Sequence, residues 1–340
     1  MSDHNIRTFE EVPECSSLFH GGYKYTTAKY ENMPEVAGEG ENAISEDTTD
    51  GLDDDYDRTS FTNRSITVLF LLARNKLALL GSIYVGLLIL TAILAPVIAP
   101  YGPTAQNYEA LNQAPNLAHP FGTDQFGRDV FSRVVYGARY ALLLGVVIIG
   151  IQAVVGVGLG LIAGYYGGYT ESVIMRIVDI SLSIPGIVLA LAIAGLLGGG
   201  IMPLILAVSL VGWRGFTRIV RGDVKSVMED EYIESAKTVG LSDRIIMTRY
   251  LLPNVSASII VYTTLSIPTV ILWSAALSFL GVGVQPPTPE WGAIIAQGRN
   301  QLQQEWWIAT FPGLAIMFTI IAFNAIGDGL RDVLDPKEYQ

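Results

Sequence analysis

Few side chains in this sequence have both the type and the spacing that catalysis or metal binding requires. The three histidines, His4, His20 and His119, do not form a HExxH zinc motif. No Gly-Lys dipeptide occurs, so the chain has no P-loop and does not bind ATP in that way. Cys15 is the only cysteine, which excludes an internal disulfide and a cysteine-based metal site. The sequence therefore predicts no catalytic residue, no metal ligand and no cofactor bound by this chain.

Two acids near the ends of apolar runs, Asp179 and Asp328, are the remaining candidates for chemistry. An intramembrane aspartyl pair would need a glycine pattern that Ala325–Gly329 (AIGDG) does not have. Solvated positions at helix ends explain both acids more simply. A membrane enzyme is therefore the disfavoured alternative.

The longest charged, helix-like segment among the apolar runs is Glu231–Pro253, EYIESAKTVGLSDRIIMTRYLLP. Good helix formers extend from Glu231 to Val239 and stop at Gly240, a residue typical of the position after a helix. Ser242-Asp243 can cap a second helix that continues towards Pro253. We call this helix, glycine corner and second helix the elbow. An ordinary loop that folded for solubility is the alternative.

The elements around the elbow belong to a membrane protein. Half of the 340 residues are hydrophobic and only 16% are charged, which is typical of a chain with several spans. The net charge of −11 lies in residues 1–60, where 15 acidic residues outnumber four basic ones. This segment has few aliphatic side chains, so we expect a mostly disordered tail. It has neither the apolar stretch of a signal peptide nor the spacing of a calcium loop.

Long uncharged runs predict an all-α protein with six transmembrane helices. The predicted spans are Leu77–Pro100, Tyr140–Gly164, Asp179–Leu197, Ile201–Phe216, Val255–Gly281 and Trp306–Gly327. The third and fourth spans form a hairpin at Gly198–Gly200, because the run that contains them is too long for one helix. The predicted domains are an acidic tail (1–60), the first span with its leading segment (61–100), an extracytoplasmic segment (101–139), a five-helix core (140–327) with a coupling loop at 214–253, and a C-terminal tail (328–340).

Glycines and prolines within the spans predict their packing. Gly156, Gly160 and Gly164 recur at four-residue spacing, which lets two helices approach closely in lipid. Such an interface can move around a pathway or pack statically, and the sequence does not decide between these. Pro185-Gly186 and Pro268 predict kinks, beside a pathway or elsewhere.

Positive charges near the span ends predict the orientation. Fourteen basic residues lie on one side of the predicted spans and four on the other. The larger group is Arg58, Arg64, Arg74, Lys76, Arg176, Arg214, Arg218, Arg221, Lys225, Lys237, Arg244, Arg249, Arg331 and Lys337, and the smaller is Arg128, Arg133, Arg139 and Arg299. Both termini and the elbow are therefore predicted to be cytoplasmic.

Two segments are predicted on the outer side. In His119–Leu142, Thr123 or Asp124 can cap a short amphipathic helix at the membrane surface, with Arg128 and Arg133 facing away from its apolar side. In Gln285–Glu305 and just beyond it, aromatic side chains are expected to anchor the outer interface, with docking of a binding protein as the alternative. These aromatic residues are Trp291, Trp306 and Trp307.

The spans carry almost no charge, although an ion-coupled carrier usually holds ionisable residues inside the membrane. A pathway without its own energy source indicates that energy arrives from a partner. A stand-alone ion-coupled secondary transporter is the alternative function. ATP-independent transport by the purified chain would establish it.

With these residues in view, the chain resembles the permease subunits of ABC importers. Their cytosolic signature is E-A-A, three residues, G, nine residues, I, one residue and L-P. The corresponding residues here are Glu234-Ser235-Ala236, Gly240, Tyr250 and Leu252-Pro253, with intact spacing and with Ser235 and Tyr250 replacing the usual alanine and isoleucine.

Three further stretches resemble the dipeptide/oligopeptide/nickel permeases, and with the segment before the first span they match the C-type of two paired permeases. These stretches are HPFGTDQFGRDVFSRVVYGAR, FLGVGVQPPTPEWGAII (Phe279–Ile295) and GDGLRDVLDPK (Gly327–Lys337). The resemblance covers roughly residues 60–337, so only the acidic tail departs from it.

The resemblance implies a complex with a B-type permease, two cytosolic ATPases that hold ATP and Mg, and an extracytoplasmic substrate-binding protein in a prokaryotic cell membrane. No nucleic acid is implied. The elbow would contact an ATPase through Glu231, Glu234, Ser235, Ala236, Gly240, Leu252 and Pro253. Dipeptides, longer peptides, nickel and sugars remain open as substrates, and the sequence identifies no substrate-contacting residue.

Overall fold

The computed structural model describes residues 75–334, and these belong to one compact unit. The acidic tail, Cys15 and the basic residues before position 75 and at Lys337 lie outside the described residues. In residues 75–334 the regular structure is helical, apart from a single antiparallel bridge between Thr123 and Asp129. The predicted all-α class is confirmed for this part of the chain.

The helices are α1 (Lys76–Ile93), α2 (Ala95–Ile98), α3 (Val130–Tyr166), α4 (Gly168–Leu182), α5 (Gly186–Leu196), α6 (Ile201–Val227), α7 (Glu231–Thr238), α8 (Asp243–Ile245), α9 (Leu252–Phe279), α10 (Trp291–Gly298) and α11 (Trp307–Leu334). A π-helix, Ile246–Leu251, joins α8 to α9. Between residues 75 and 334, five helical segments are long and apolar enough to cross a membrane, or six if the bent pair α4–α5 is one span.

Helix α3 is the central element, because it runs past most of the others. Its 37 residues extend about 55 Å, well beyond the ~30 Å hydrocarbon core of a bilayer. The side chain of Asp129 caps it by accepting from the backbone N–H of Ser132 at 2.7 Å. The separate amphipathic surface helix predicted before residue 140 is therefore wrong: this segment is the first part of α3, continuous with the second span.

Three hydrophobic clusters follow one another along α3. The first joins its beginning to α1, α10 and α11, and the second joins its middle to α5, α6 and α9. The third, which we call the elbow cluster, joins the end of α3 to α6 and to the elbow. Its buried members are Leu161, Val220, Val224, Ile233, Ala236, Ile246, Leu251 and Val255.

The spaced glycines of α3 lie at a close approach of two helices, as predicted, and the second helix is α6. A Cβ on Gly156 would overlap Phe216 and the carbonyl of Trp213, and one on Gly160 would press on Val220. The hydroxyl of Thr217 also donates to the carbonyl of Gly156 at 3.2 Å. The two backbones are thus close enough for a side chain to bond directly across the interface.

Replacing Gly156 with alanine should destabilise this helix pair. The added methyl would overlap backbone and Cβ atoms that cannot move independently, a kind of overpacking that costs about 1–3 kcal/mol. Thermal unfolding of the purified subunit in detergent should show a lowered midpoint. The control is Gly158→Ala, because a Cβ there meets nothing within 4 Å. Equal midpoints for the two variants would contradict the close packing.

The predicted third span is broken. Instead of one helix over Asp179–Leu197, the chain forms α4 and α5, which meet at 86° across Ser183–Pro185. Pro185 has no N–H to continue the backbone ladder, and Gly186 begins the next helix. The predicted kink at Pro185-Gly186 is confirmed, but α4 begins well before the apolar run on which the predicted boundary was based.

Two arginines and two tryptophans of the segments predicted on the outer side are buried. Arg128 is 3% exposed and Arg133 is fully buried, and both donate to the carboxylate of Asp124. Trp291 and Trp307 are buried and donate through their indole N–H groups to backbone carbonyls of Val134 and Thr123. The predictions that the arginines face outward and that these two tryptophans anchor the membrane interface are wrong. Trp306, about half exposed, remains a candidate anchor.

The buried carboxylate of Glu290 fixes the start of α10. It accepts from the backbone N–H of Ala293 at 2.9 Å, which satisfies a free donor in the first turn of that helix. Burial raises the pKa of Glu290 above its ordinary range. This carboxyl group therefore has a structural role in the capping of α10.

Candidate coupling site

The first half of the elbow, α7, presents one face to the bundle and the other to solvent. Ile233 and Ala236 are buried in the elbow cluster, at the i, i+3 spacing of one helix face. Glu231 and Glu234 lie in the first turn and Lys237 in the last, so each charge is favourable for the helix dipole. The amphipathic pattern therefore places the apolar face of α7 against the helix bundle and its charged face towards solvent.

Gly240 ends α7 in a Schellman motif. The N–H of Gly240 donates to the carbonyl of Lys237 at 3.0 Å, and the N–H of Leu241 donates to that of Ala236 at 3.2 Å. The φ angle of Gly240 is +84°, a left-handed conformation that other residues adopt only with strain. A Cβ on Gly240 would meet no atom within 4 Å. Glycine is required here by the backbone conformation rather than by a lack of space, and the predicted glycine corner is confirmed.

The second half of the elbow is continuous with the fifth span. The chain is helical from Asp243 to Phe279, with the π-helix Ile246–Leu251 placed just before Pro253. The expected i→i−4 bond is impossible at Pro253, and a π-helix is one way for a helix to accommodate such a break. The predicted second helix of the elbow is confirmed: it runs into α9 without a break, and Pro253 lies in the second position of α9.

Hydrogen bonds attach the corner to the end of α3. The carboxylate of Asp243 accepts from the hydroxyls of Tyr165 at 2.8 Å and Tyr166 at 2.9 Å. The ammonium of Lys237 lies 5.4 Å from the ring centre of Tyr165, a cation–π distance. Ser242 occupies the predicted cap position but makes no capping hydrogen bond. The Asp243 side chain thus bonds the aromatic end of α3, while its backbone begins α8.

An ion-paired group next to the elbow joins α4 to α6. Glu171 on α4 accepts from Nε of Arg221 at 2.6 Å and from Lys225 at 3.1 Å, both on α6. The Asp179 carboxylate, one member of the hypothetical aspartyl pair, instead accepts from Arg218 at 2.7 Å in an exposed pair.

Among the described residues, no three His, Cys, Asp or Glu side chains are grouped to hold a metal ion.

The seven predicted contact residues do not share one surface. Glu231, Glu234, Ser235, Gly240 and Pro253 are exposed, whereas Ala236 is buried and Leu252 is half-buried. Ala236 and Leu252 pack within this subunit, against or inside the elbow cluster, so the structure places them as supports rather than as surface groups.

Ser235 and Tyr250 are the two departures from the signature pattern. The hydroxyl of Ser235 donates to the carbonyl of Glu231 at 3.0 Å, within its own helix. Tyr250 is half-buried and packs against the elbow cluster. Both substitutions are accommodated locally without leaving the serine hydroxyl unsatisfied.

Two exposed residues of the elbow were missing from the predicted set. Val239 at the corner is 80% exposed and Tyr232 on α7 is 41% exposed, although both carry large apolar surface. Partial burial, and then the neighbouring carboxylate of Asp230, raises the pKa of Tyr232 above its ordinary value. The sequence feature that could have identified Val239 is an apolar residue directly beside the corner glycine, outside the buried face formed by residues 233 and 236.

Comparison with known families agrees with this architecture. The binding-protein-dependent transport system inner membrane component family matches residues 156–338. The N-terminal TM domain of oligopeptide transport permease C matches residues 67–115. The second match accounts for the first span, and the first covers the part of the chain that contains the elbow.

Individual proteins also match this chain over most of its length. Glutathione transport system permease protein GsiD from Escherichia coli O6:K15:H31 is 47% identical over 267 residues, which are 78% of this chain and 88% of that protein. The protein of the same name from Shigella dysenteriae serotype 1 is 46% identical over the same length and shares. A structure of the MetNI methionine ABC transporter covers 60% of this chain and 97% of its own, at 18% identity and a TM-score of 0.47, too low to support an argument.

These matches extend over most of the chain and include every element of the elbow and both helices that it connects. The chain therefore belongs to the family of binding-protein-dependent transport system inner membrane components, and it is a permease subunit of an ABC importer rather than an enzyme.

Proposed function

We propose that this subunit pairs with a B-type permease and forms half of a translocation pathway. The elbow, Glu231–Pro253, then contacts one of two cytosolic ATPases, which bind ATP and Mg. The observation that carries this proposal is the elbow's construction: a charged face with exposed Tyr232 and Val239 outside, and a buried face fixed to α3, α6 and α9 through the elbow cluster. A partner that pushes on the exposed face would move these helices together.

Orientation follows from the same proposal. The elbow must face the cytoplasm to contact ATPases there, and the excess of Lys and Arg on its side of the spans supports this placement. With six spans, including α4–α5 as one, both termini lie on the cytoplasmic side of a prokaryotic cell membrane. The outer segments, including α10, then face the extracytoplasmic binding protein.

The substrate class that we propose is a small peptide. The supporting relatives are named for glutathione transport, and the N-terminal match is named for oligopeptide transport. Glutathione is itself a tripeptide, so dipeptides and short oligopeptides, together with glutathione, are the first compounds to test. Nickel is the second candidate, raised by the wider family that the sequence resembles.

Reconstitution tests this function directly. The subunit, its B-type partner, both ATPases and the binding protein are assembled in proteoliposomes, and uptake of radiolabelled glutathione, a dipeptide and Ni²⁺ is measured. We expect uptake of a peptide that requires ATP and the binding protein. A complex without the binding protein is the control for leakage. Uptake by this subunit alone, without ATP, would contradict the proposal and favour an ion-coupled carrier.

A further inference from the structure

At the break between α4 and α5, Pro185 removes the usual backbone donor of one particular carbonyl, that of Ser181. In a continuous helix, the carbonyl of Ser181 would accept from the N–H four residues later, at position 185. Pro185 occupies that position and has no N–H. The backbone N–H groups on either side of Pro185 also bond to other carbonyls, Ser183 to Asp179 and Val188 to Pro185.

Arg214 of α6 supplies the missing donor. Its Nη1 donates to the carbonyl of Ser181 and, at 3.1 Å, to the hydroxyl of the same residue. The guanidinium thus lies at the C-terminal end of α4, where a positive charge is favourable for the helix dipole. No carboxylate between residues 75 and 334 lies within salt-bridge distance of Arg214.

The position of this arginine is unusual. Arg214 is 8% exposed and lies in a helix that is long and apolar enough to span the membrane. Burying a charge is costly unless hydrogen bonds or an ion pair compensate for it. Here the cost is offset by bonds to the one place in α4 where a proline has removed a backbone donor.

Arg214 and Trp273 enclose the other side of the break. A Cβ on Gly186, the first residue of α5, would overlap the ring of Trp273 and approach Nη2 of Arg214 to 2.7 Å. Arg214 lies on α6, which leads into the elbow, and Trp273 lies on α9, which leaves it. The break is therefore held by both helices that the elbow connects.

We propose that Arg214 is a positioning residue that holds the α4–α5 break against α6, so that movement of the elbow changes the angle of the broken span. The source of this movement, an ATPase at the elbow, rests on the proposed function. The holding of the break itself does not, because it depends only on contacts within this chain.

The angle of the break is measured first. Spin labels replace Tyr169 near the start of α4 and Leu196 at the end of α5, which are 85% and 88% exposed in this chain. The distance distribution between them is recorded for the full-length subunit and for the assembled complex, with and without a non-hydrolysable ATP analogue. Arg214→Met should broaden the distribution at least two-fold and abolish any nucleotide-dependent shift.

Arg218→Met is the matched control, because Arg218 also joins α6 to α4. Its pair with Asp179 is exposed, with side chains 56% and 58% accessible, and a screened pair of this kind contributes little. The control should keep the wild-type distribution. Equal distributions for the Arg214 and Arg218 variants would overturn the proposal, whatever the complex transports.

Transport gives an independent measurement. In the reconstituted complex, Arg214→Met should reduce uptake at least ten-fold while ATP hydrolysis stays within two-fold of wild type, whereas Arg218→Met should change neither. An unchanged ratio of ATP hydrolysed to substrate transported would also overturn the proposal. If the wild-type complex does not transport with ATP, the proposed function fails, and the distances in the full-length subunit still decide the role of Arg214.

A double-mutant cycle covers the case in which Arg214→Met accumulates poorly. Pro185→Ala restores an N–H at position 185 and lets α4 continue as a helix through this residue, where that N–H bonds to the Ser181 carbonyl. Arg214→Met should therefore reduce the yield of folded subunit less in the Pro185→Ala background than in the wild type. An equal loss in both backgrounds would show that Arg214 does not act through this carbonyl, and would overturn the proposal.

Discussion

Replacing Asp124 with alanine should prevent most of the subunit from accumulating in folded form. The Oδ2 atom of Asp124 accepts from Arg128 at 2.7 Å and from Arg133 at 3.3 Å, and all three side chains are at most 3% exposed. Removing the carboxylate would leave two guanidinium groups buried without their counter-ion. Breaking a buried ion pair from one side costs about 3–5 kcal/mol, a large part of the stability of a typical domain.

The same substitution also removes a turn. The Oδ1 atom of Asp124 accepts from the backbone N–H of Phe126 at 2.9 Å and of Arg128 at 3.0 Å. Asp124→Asn keeps an acceptor for these bonds but removes the charge, so it should show an intermediate loss. The comparison separates the contribution of the turn from that of the buried charges.

The measurement is the amount of monodisperse subunit after detergent extraction, together with its thermal midpoint. Asp179→Ala is the control, because it breaks an Asp–Arg pair that is exposed rather than buried, a loss worth about 0–1 kcal/mol. If Asp124→Ala gave the yield and midpoint of Asp179→Ala, the buried group would not stabilise the fold around the start of α3.

This buried group also shows why the outer segment was predicted wrongly. Periodicity places Arg128 and Arg133 opposite an apolar face, and arginines opposite such a face are usually solvated. Their partners include Gln297, whose side chain accepts from Arg128 at 2.5 Å from 169 positions away in the sequence. Asp124 lies in the same segment and pairs with both arginines. A pattern within that segment contains no information about a partner as distant as Gln297, so the burial of the whole group was not predictable from it.

The broken third span was predicted in part. Pro185-Gly186 indicates a kink from local sequence alone, because proline removes a donor at a fixed position. The size of the bend is not local, since Arg214 and Trp273 from two other helices occupy the space beside Gly186. The start of α4 was also missed, because hydropathy excludes the charged residues Glu171 and Arg176 that the helix contains.

The elbow was predicted more accurately because its signals are local. A run of helix formers followed by Gly240 determined α7 to within one residue, and the positive φ angle explains the glycine. The burial of Ala236 and the continuity of the chain through Pro253 depend on the elbow cluster, which α3 and α6 complete. Sequence spacing identifies such an element; it does not separate its exposed residues from those that pack against the rest of the bundle.

Substitutions at Gly240 should impair transport in the order of their tolerance for a left-handed backbone, not of their size. Asparagine adopts this conformation more readily than alanine, and valine is strongly disfavoured because it is β-branched. The φ angle of +84° makes an alanine cost about 1–2 kcal/mol in the corner. We therefore expect near-normal transport for Gly240→Asn, reduced transport for Gly240→Ala and little for Gly240→Val, with the complex still inserted.

Uptake and ATP hydrolysis by the reconstituted complex, with co-purification of the ATPases, measure this series. Gly222→Val is the control, because a Cβ at Gly222 also meets nothing within 4 Å but the residue lies within α6 and has no positive φ angle. Because asparagine is larger than alanine, a direct clash with the ATPase would reverse the order of Asn and Ala. That order would reject the backbone explanation, and normal transport by Gly240→Val would reject the coupling role of the elbow itself.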